Sequence, residues 1–198
     1  MVSVLSAVLA TSLLGAPWVP AAHVAEPVTW KIDVTHSELV FRIRHLVSRV
    51  NGTFREWQGT ISADPSDWKA GQVDIVIQSA SIDTRNERRD THLRSADFFD
   101  VTNFPTIIFK STGVKVEGNA VTLSGDLTIR GTTKPIVLAG EYLGTTGDGP
   151  NKQRIGFQVS TRINRLDYGV SWNRAAEGGG VVLGDDVEIQ VTVAAVRM

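Results

Sequence analysis

Histidine is the side chain most often used as a general base or metal ligand near neutral pH. Three histidines follow residue 25: His36, His45 and His92. No two of them stand four residues apart on a helix or two apart on a strand, the spacings that aim two imidazoles at one metal ion. The sequence therefore predicts no metal site and no cofactor. His45 alternates in step with Phe41 and Ile43, which favours a hydrogen-bonded core histidine.

The motifs of the common nucleophile and phosphate chemistries are missing from the sequence. The absence of cysteine removes thiol nucleophiles, cysteine zinc sites and disulfides. Ser37, Ser124 and Ser171 do not lie in a Gly-x-Ser-x-Gly elbow, and there is no P-loop and no strand-anchored Gly-x-Gly-x-x-G. Carboxylate pairs brought together by distant strands stay open. These observations favour a protein without a catalytic role.

Apolar and polar residues alternate in about eight segments, with the period of a half-buried strand. Asn51-Gly52 is predicted to form a tight turn after the first segment, because this pair tolerates the positive φ of a hairpin. No helical period separates consecutive strands, so the pattern predicts an antiparallel sandwich or closed barrel. The predicted strands are residues 30–45, 54–63, 73–82, 105–111, 121–129, 135–142, 154–163 and 187–195.

Charged side chains interrupt the strand pattern between residues 83 and 104, where four arginines are interleaved with five acids. A short helical insertion is predicted near residues 86–99, with Thr84 or Asn86 as its N-cap. Two interpretations stay open. The helix is either a solvated crossover with weak surface ion pairs, or a barrel mouth whose arginines and His92 meet a polar or anionic headgroup.

The chain has 198 residues and a formal charge of −1, which indicates one domain with a short extension. So small a net charge does not hold nucleic acid or an anionic bilayer by whole-molecule electrostatics. We therefore expect no nucleic-acid partner.

Residues 1–22 carry no charge, and their apolar run ends at Gly15-Ala16-Pro17. This is the length of the hydrophobic region of a secretory signal peptide and too short for a stable membrane span. We predict a signal peptide over residues 1–22, with cleavage as late as residue 25, although the usual basic N-terminal region is missing. An uncleaved hydrophobic anchor is the alternative. Residues 28–197 would then form a single periplasmic or secreted domain.

A series of motifs follows in order over residues 30–195. They include Trp30-Lys-Ile-Asp33, Arg89-Asp90-x-His92-Leu93-Arg94-Ser95-x-Asp97-Phe98-Phe99-Asp100, Phe104-Pro105-x-Ile107-x-Phe109-x-Ser111 and Gly184-Asp185-x-Val187. In these motifs the sequence resembles the YceI-like family. The family often has Leu-Thr-Ile-His-Gly-Val-Thr where this chain has Arg130 in place of the histidine, so the preference for a headgroup is open.

The resemblance implies an all-β fold, an antiparallel eight-stranded lipocalin-like β-barrel with a helical insertion. It also implies non-catalytic binding, storage or transport of a polyisoprenoid, prenyl quinone or fatty-acid-derived lipid inside the barrel, in the periplasm. A homodimer stays open. Two other functions stay open as well: an enzyme that uses His36, His45 or His92 as a base on a hydrophobic substrate, and a structural stress-response barrel filled by its own side chains.

Nine residues are predicted to line the ligand site, although each would serve equally well in an ordinary core. They are Phe41, Ile43, His45, Phe54, Trp57, Phe109, Leu127, Ile129 and Trp172. Three residues of the charged segment are the candidates for contact with the ligand headgroup: Arg89, His92 and Arg94.

Overall fold

The computed structural model describes residues 27–64, 67–147, 149, 152–177 and 179–198, so the predicted signal peptide lies outside the described residues. Eleven strands and one α-helix are assigned in this part of the chain. The elements are β1 (Val28–Ile32), β2 (Glu38–His45), β3 (Ser48–Phe54), β4 (Trp57–Asp64), β5 (Asp67–Gln78), β6 (Ile82–Asp83), α1 (Glu87–Arg94), β7 (Thr106–Glu117), β8 (Ala120–Ile129), β9 (Thr132–Thr146), β10 (Arg154–Asn164) and β11 (Leu183–Arg197).

Eight strands close into an antiparallel barrel in the order β1–β4–β5–β7–β8–β9–β10–β11, and β11 pairs back onto β1. The predicted barrel with a helical insertion is confirmed, and the sandwich alternative is excluded. β11 also pairs with β2, β2 with β3, and β3 with the short β6. The β2–β3 hairpin thus continues the barrel wall beyond β1 and β4.

The two ends of the barrel differ in their connections. Because the strands run up and down, α1, the β2–β3 turn, the turn at residues 130–131 and the connection of residues 165–182 all lie at one end. We call this the α1 end. The opposite end carries the turns between β7 and β8 and between β9 and β10, together with the C-terminus.

The turn predicted at Asn51-Gly52 is wrong. Both residues lie inside β3, and the turn of the hairpin is formed by Leu46 and Val47. Gly52 is instead required for packing, because a Cβ there would lie 2.3 Å from Cζ of Phe41, its partner across the hairpin. Glycine is needed at this position because an aromatic ring lies close to the backbone. The sequence alone does not distinguish such a glycine from one in a turn.

Other predicted boundaries also change. The strand predicted at residues 30–45 is two strands, β1 and β2, separated by the 3-10 turn Val34–His36. The strand predicted at residues 73–82 is β5, which begins earlier at Asp67, followed by a 3-10 turn (Ser79–Ser81) and β6. The helix predicted near residues 86–99 is shorter, since α1 ends at Arg94. Its N-cap is Asn86, whose side chain accepts a hydrogen bond from the Arg89 amide at 3.0 Å.

Candidate functional site

The inner side chains of the barrel enclose a cavity of about 690 Å³. Strand periodicity explains it, because alternate residues of each strand face inward. In β10, for example, Phe157, Val159 and Ile163 line the cavity. Such a volume lies within the roughly 300–1,000 Å³ typical of ligand pockets. The barrel is therefore not filled by its own side chains, which argues against the purely structural alternative.

All nine residues predicted for the ligand site lie on the cavity wall: Phe41, Ile43, His45, Phe54, Trp57, Phe109, Leu127, Ile129 and Trp172. Five of them are buried, whereas Phe41, Ile43, His45 and Trp172 are half-buried. Their contact with a ligand stays a prediction. Arg88 of α1 also lines the cavity, although it is exposed. The alternation of residues along strands could not predict this, because Arg88 lies on a helix.

Most of the polar side chains of the wall gather at the α1 end. They include His45, Thr84, Asn86, Arg88, Arg89 and His92. No aspartate or glutamate is found among the cavity-lining residues that the structure describes. The cavity is therefore an apolar bore whose α1 end, which we call the mouth, is polar and partly cationic.

Arg89 is held at the mouth by a buried network. Its Nε donates to Oγ1 of Thr84 at 2.6 Å, and its Nη2 donates to the Thr84 carbonyl oxygen at 2.8 Å. The buried Asp90 carboxylate accepts from the Thr84 amide at 3.0 Å and from the Thr84 hydroxyl. These bonds fasten α1 to the segment after β6, so Arg89 both lines the cavity and anchors the helix.

His92 lies between charged and aromatic neighbours. Its Nε2 is 2.8 Å from Oδ2 of Asp97, and its ring meets those of Phe98 and Trp172 edge-on at 5.0 and 4.9 Å between centroids. Because Trp172 belongs to the connection between β10 and β11, this aromatic cluster joins α1 to that connection across the α1 end. His92 is half-buried and faces the cavity.

Arg94 does not lie on the cavity wall. Its guanidinium donates to the carbonyl oxygens of Ala80 and Ile82 at 2.9 and 3.2 Å and pairs with Glu87 at 3.1 Å. These contacts hold the end of α1 on the preceding segment. A headgroup contact by Arg94 stays a prediction, and the structure gives this side chain a structural role.

Arg130, the residue that departs from the family motif, lies outside the cavity wall as well. Its Nη1 donates to the carbonyl oxygens of Ala96 and Phe98 at 3.1 and 2.6 Å. The arginine therefore fastens the segment after α1 to the turn between β8 and β9. At the position where the family motif often has histidine, this chain thus makes a structural contact at the α1 end, away from the bore.

The expectation that His45 is a hydrogen-bonded core histidine is wrong. The ring lines the cavity and is half-buried, but within the described part of the chain its imidazole has no hydrogen-bond partner. The inner face of β2 meets open cavity at this level, where a core histidine would need polar neighbours. His36 lies on the outside, in the 3-10 turn Val34–His36, with Nδ1 2.9 Å from Oδ2 of Asp33.

Arg165 organises the connection between β10 and β11. The side chain is only 4% exposed, and burial lowers the pKa of its guanidinium, while the nearby Asp185 carboxylate opposes that shift. It donates to the carbonyl oxygens of Gly184, Val170 and Trp172. Arginine is mostly exposed in folded proteins, and no motif in the sequence singled out this buried one.

The opposite end of the bore is narrowed by aromatic rings. Trp68 from β5 packs edge-on against Phe157 and tilted against Tyr142, with centroids 5.4 and 5.7 Å apart. Tyr142 and Phe157 also contact each other. The polar mouth and this aromatic end give the cavity a direction, which suits a ligand with one polar and one apolar end.

Neither a metal site nor a membrane-spanning helix is found in the parts of the chain that the structure describes. Within them, no group of three or more histidine, cysteine, aspartate or glutamate side chains could hold a metal ion. The helices among these residues are too short or too polar to cross a bilayer.

Comparison with known proteins assigns the family. The model of the YceI-like domain matches residues 30–195. The chain belongs to the YceI-like family. Protein YceI of Shigella flexneri is 37% identical over 153 residues, which cover 76% of this chain and 80% of that protein. A UPF0312 protein of Staphylococcus epidermidis is 39% identical over 165 residues, covering 82% and 94% of the two chains.

Solved structures of YceI-like proteins share the barrel. The Campylobacter jejuni YceI protein superposes with a TM-score of 0.68 at 30% identity, over 78% of this chain and 90% of its own. A polyisoprenoid-binding domain from Saccharophagus degradans superposes with a TM-score of 0.65 at 19% identity, over 86% and 99% of the two chains. At that identity the second likeness concerns the fold alone.

Proposed function

We propose that this YceI-like protein binds, stores or transports a polyisoprenoid or similar long-chain amphiphilic lipid without chemical change. The tail lies in the bore, and the polar head lies at the α1 end near Arg88, Arg89 and His92. The observation that carries this proposal is the apolar cavity of about 690 Å³ with polar groups at one end. The name of the Saccharophagus degradans neighbour, a polyisoprenoid-binding domain, supports the same ligand class.

The energetics favour recognition of the tail over recognition of the head. Burying one five-carbon isoprene unit contributes about 4 kcal/mol before entropic costs. Non-covalent affinity saturates near about −18 to −21 kcal/mol, so ordering the chain must cancel much of the gain from a long prenyl tail. An exposed arginine contributes about 1 kcal/mol or less. We therefore propose loose headgroup specificity.

The first experiment identifies the natural ligand. The protein is purified from its source and analysed by native mass spectrometry, followed by extraction and identification of whatever co-purifies. A mass increment that corresponds to a prenyl lipid supports the proposal. A barrel that is consistently empty and takes up neither a prenyl quinone nor a prenyl phosphate contradicts it.

Ile136 and Val137 provide a matched pair of variants for the bore. They are neighbours on β9; Ile136 lines the cavity, whereas Val137 is 53% exposed on the outer wall. Ile136→Trp places an indole in the path of the tail and is expected to weaken uptake of a prenyl quinone by about tenfold or more. Val137→Trp is the control and leaves uptake unchanged. Arg88→Ala is expected to cost only a few-fold, about what one exposed charge contributes.

Equal losses for Ile136→Trp and Val137→Trp would contradict a ligand site inside the barrel. Thermal melts of both variants show whether the fold is retained. If Arg88→Ala weakens binding more than Ile136→Trp, the head rather than the tail dominates recognition.

The enzyme alternative has a direct test as well. Two of its candidate bases, His45 and His92, line the cavity, while His36 lies outside. We expect the triple replacement of these histidines by alanine to retain lipid uptake. Conversion of the bound lipid by the wild type, lost in the triple variant, would overturn a non-catalytic role.

The proposal includes export to the periplasm after removal of residues 1–22. The support is the uncharged apolar run described above. Cell fractionation followed by N-terminal sequencing of the protein tests it. We expect a mature N-terminus between residues 23 and 26. An exported protein that retains residues 1–22 would favour the uncleaved anchor.

A further inference from the structure

The tip of the β2–β3 hairpin exposes aliphatic side chains that the proposed lipid site does not use. Leu46 is 43% exposed and Val47 is fully exposed. The Leu46 amide donates to the Val182 carbonyl oxygen at 2.8 Å, and Val181 is itself 43% exposed. The tip therefore lies next to residue 182, and we call the exposed side chains of Leu46, Val47 and Val181 at the rim of the α1 end the rim patch.

The backbone of the tip is unfavourable for its sequence. Leu46 has a φ of 52°, in the left-handed region that glycine and asparagine tolerate and that a leucine rarely adopts. Asparagine would suit the backbone conformation of this turn better. Strain combined with exposure indicates that the Leu46 side chain has a role outside the fold.

Basic side chains lie directly below the rim patch. From Leu39 to Phe54 the hairpin contains Arg42, Arg44 and Arg49 and no acid. Arg44 and Arg49 face each other across the two strands, and like charges in this position repel. An anion beside the hairpin would relieve that repulsion.

The acids of β11 do not neutralise this set of arginines. Glu188 is shared by Arg49 and Arg162 at 3.1 and 3.0 Å. Asp185 pairs with the buried Arg165, which leaves Asp186 as the other acid of this strand near the hairpin. The local charge below the rim patch is therefore positive in a chain whose formal net charge is −1.

We propose that the rim patch and the arginines beneath it dock the α1 end of the barrel on an anionic lipid surface. Aliphatic side chains that enter the interface and basic residues that meet anionic headgroups are the two components of such binding. A lipid surface is favoured over a protein partner because His45, the residue next to Leu46, lines the cavity. Docking would bring the polar mouth to the bilayer, so that a lipid tail could enter the bore with little exposure to water.

Vesicle flotation tests this docking with the full chain and its single variants. The probes are vesicles of phosphatidylcholine alone and of phosphatidylcholine mixed with phosphatidylglycerol. We expect the wild type to bind the anionic vesicles more tightly than the neutral ones, and high salt to weaken that preference. Val47→Glu is expected to lower binding to the anionic vesicles about tenfold. Arg44→Gln is expected to lower it about fivefold.

Two control variants separate docking from general effects on the protein. Val137→Glu puts the same change on an exposed valine of the outer β9 wall and is expected to leave vesicle binding unchanged. Leu46→Asn relieves the turn, so it is expected to raise the melting temperature while it weakens vesicle binding. A purely structural turn would not give these opposite responses.

Several outcomes would overturn the docking proposal. They are no preference of the wild type for anionic vesicles, or equal effects of Val47→Glu and Val137→Glu. If the wild type binds neither kind of vesicle but binds an acidic protein, and Val47→Glu abolishes that binding, the rim patch is the binding site for that protein. Residues 1–22 contain no charged side chain, and every variant shares their terminal amine, so they cannot cause a difference between Val47→Glu and Val137→Glu. Docking is measured without ligand transfer, so its failure leaves the lipid-binding proposal standing.

Discussion

Phe41 and Gly52 lie opposite each other on the inner face of the β2–β3 hairpin. The phenyl ring occupies the place where any other residue would carry its Cβ, and Phe41 in turn packs against Phe54 with centroids 5.8 Å apart. Gly125 repeats the arrangement on β8, since its Cβ would lie 2.4 Å from Cζ of Phe109. In both places the missing side chain of a glycine leaves room for an aromatic ring against the barrel wall.

We predict that Gly52→Ala destabilises the fold by about 1–3 kcal/mol, because the new methyl group must displace the Phe41 ring. Urea unfolding measures the change. Gly113→Ala is the control, since a Cβ there meets nothing within 4 Å. The double variant Phe41→Leu/Gly52→Ala should recover most of the loss, and no recovery would place the strain elsewhere.

Strand alternation predicted the inward face within a single strand, as for Phe41, Ile43 and His45 on β2, because a period of two places each side chain on a definite face. It does not account for Trp172, which lies in the connection between β10 and β11. It could not separate cavity from core: Leu127 is as apolar and as buried in either case. Strand alternation also could not predict the roles of the arginines. Arg88, Arg94 and Arg130 are one residue type in the sequence, and only the path of the chain around α1 decides which faces the cavity.

At the scale of elements, the α1 end is held together by side-chain bonds to backbone carbonyl oxygens. Arg130 fastens the segment after α1, Arg94 fastens the helix itself, and Arg165 fastens the connection of residues 165–182. Irregular segments have few backbone partners of their own, so multidentate guanidinium groups supply the missing donors. This explains why arginine is frequent at this end of the barrel.

Arg165→Ala is expected to destabilise the protein by about 2–4 kcal/mol, since it leaves buried carbonyl oxygens without donors. It should also release Trp172 from the aromatic cluster, which tryptophan fluorescence would detect. Arg162→Ala, three residues earlier, is the control. That side chain is exposed and pairs with Glu188 at the surface, so its loss should cost less than about 1 kcal/mol. Similar costs for the two variants would contradict a structural role of Arg165.

The boundaries of elements were harder to predict from sequence than their existence. The strand predicted at residues 73–82 extends to Ile82, yet the chain leaves the barrel wall at Gln78 and pairs again with β3 only at Ile82 and Asp83. Tertiary hydrogen bonds decide this, among them the one from the Gln78 amide to the Glu56 carbonyl oxygen. Such long-range partners leave no local signal.

At the scale of the whole molecule, one acidic residue lies where three strands of the barrel meet. Asp33 follows β1, and its amide donates to the Ala194 carbonyl oxygen on β11. Its carboxylate accepts from Arg154 on β10 at 2.9 Å and from His36 at 2.9 Å. These bonds from Arg154 and His36 hold the pKa of Asp33 below its ordinary value of 3.8.

Acid should therefore weaken the closure of the barrel. A carboxyl group whose pKa is lowered by folding stabilises the native state fully above its ordinary pKa, and this contribution is lost as the pH falls through the lower folded-state value. We predict that Asp33→Asn lowers the melting temperature at pH 7 and flattens the fall in melting temperature below about pH 4. Asp126→Asn, an exposed carboxyl on the outer face of β8, is the control. If both variants reproduce the wild-type pH profile, Asp33 does not couple the three strands to pH.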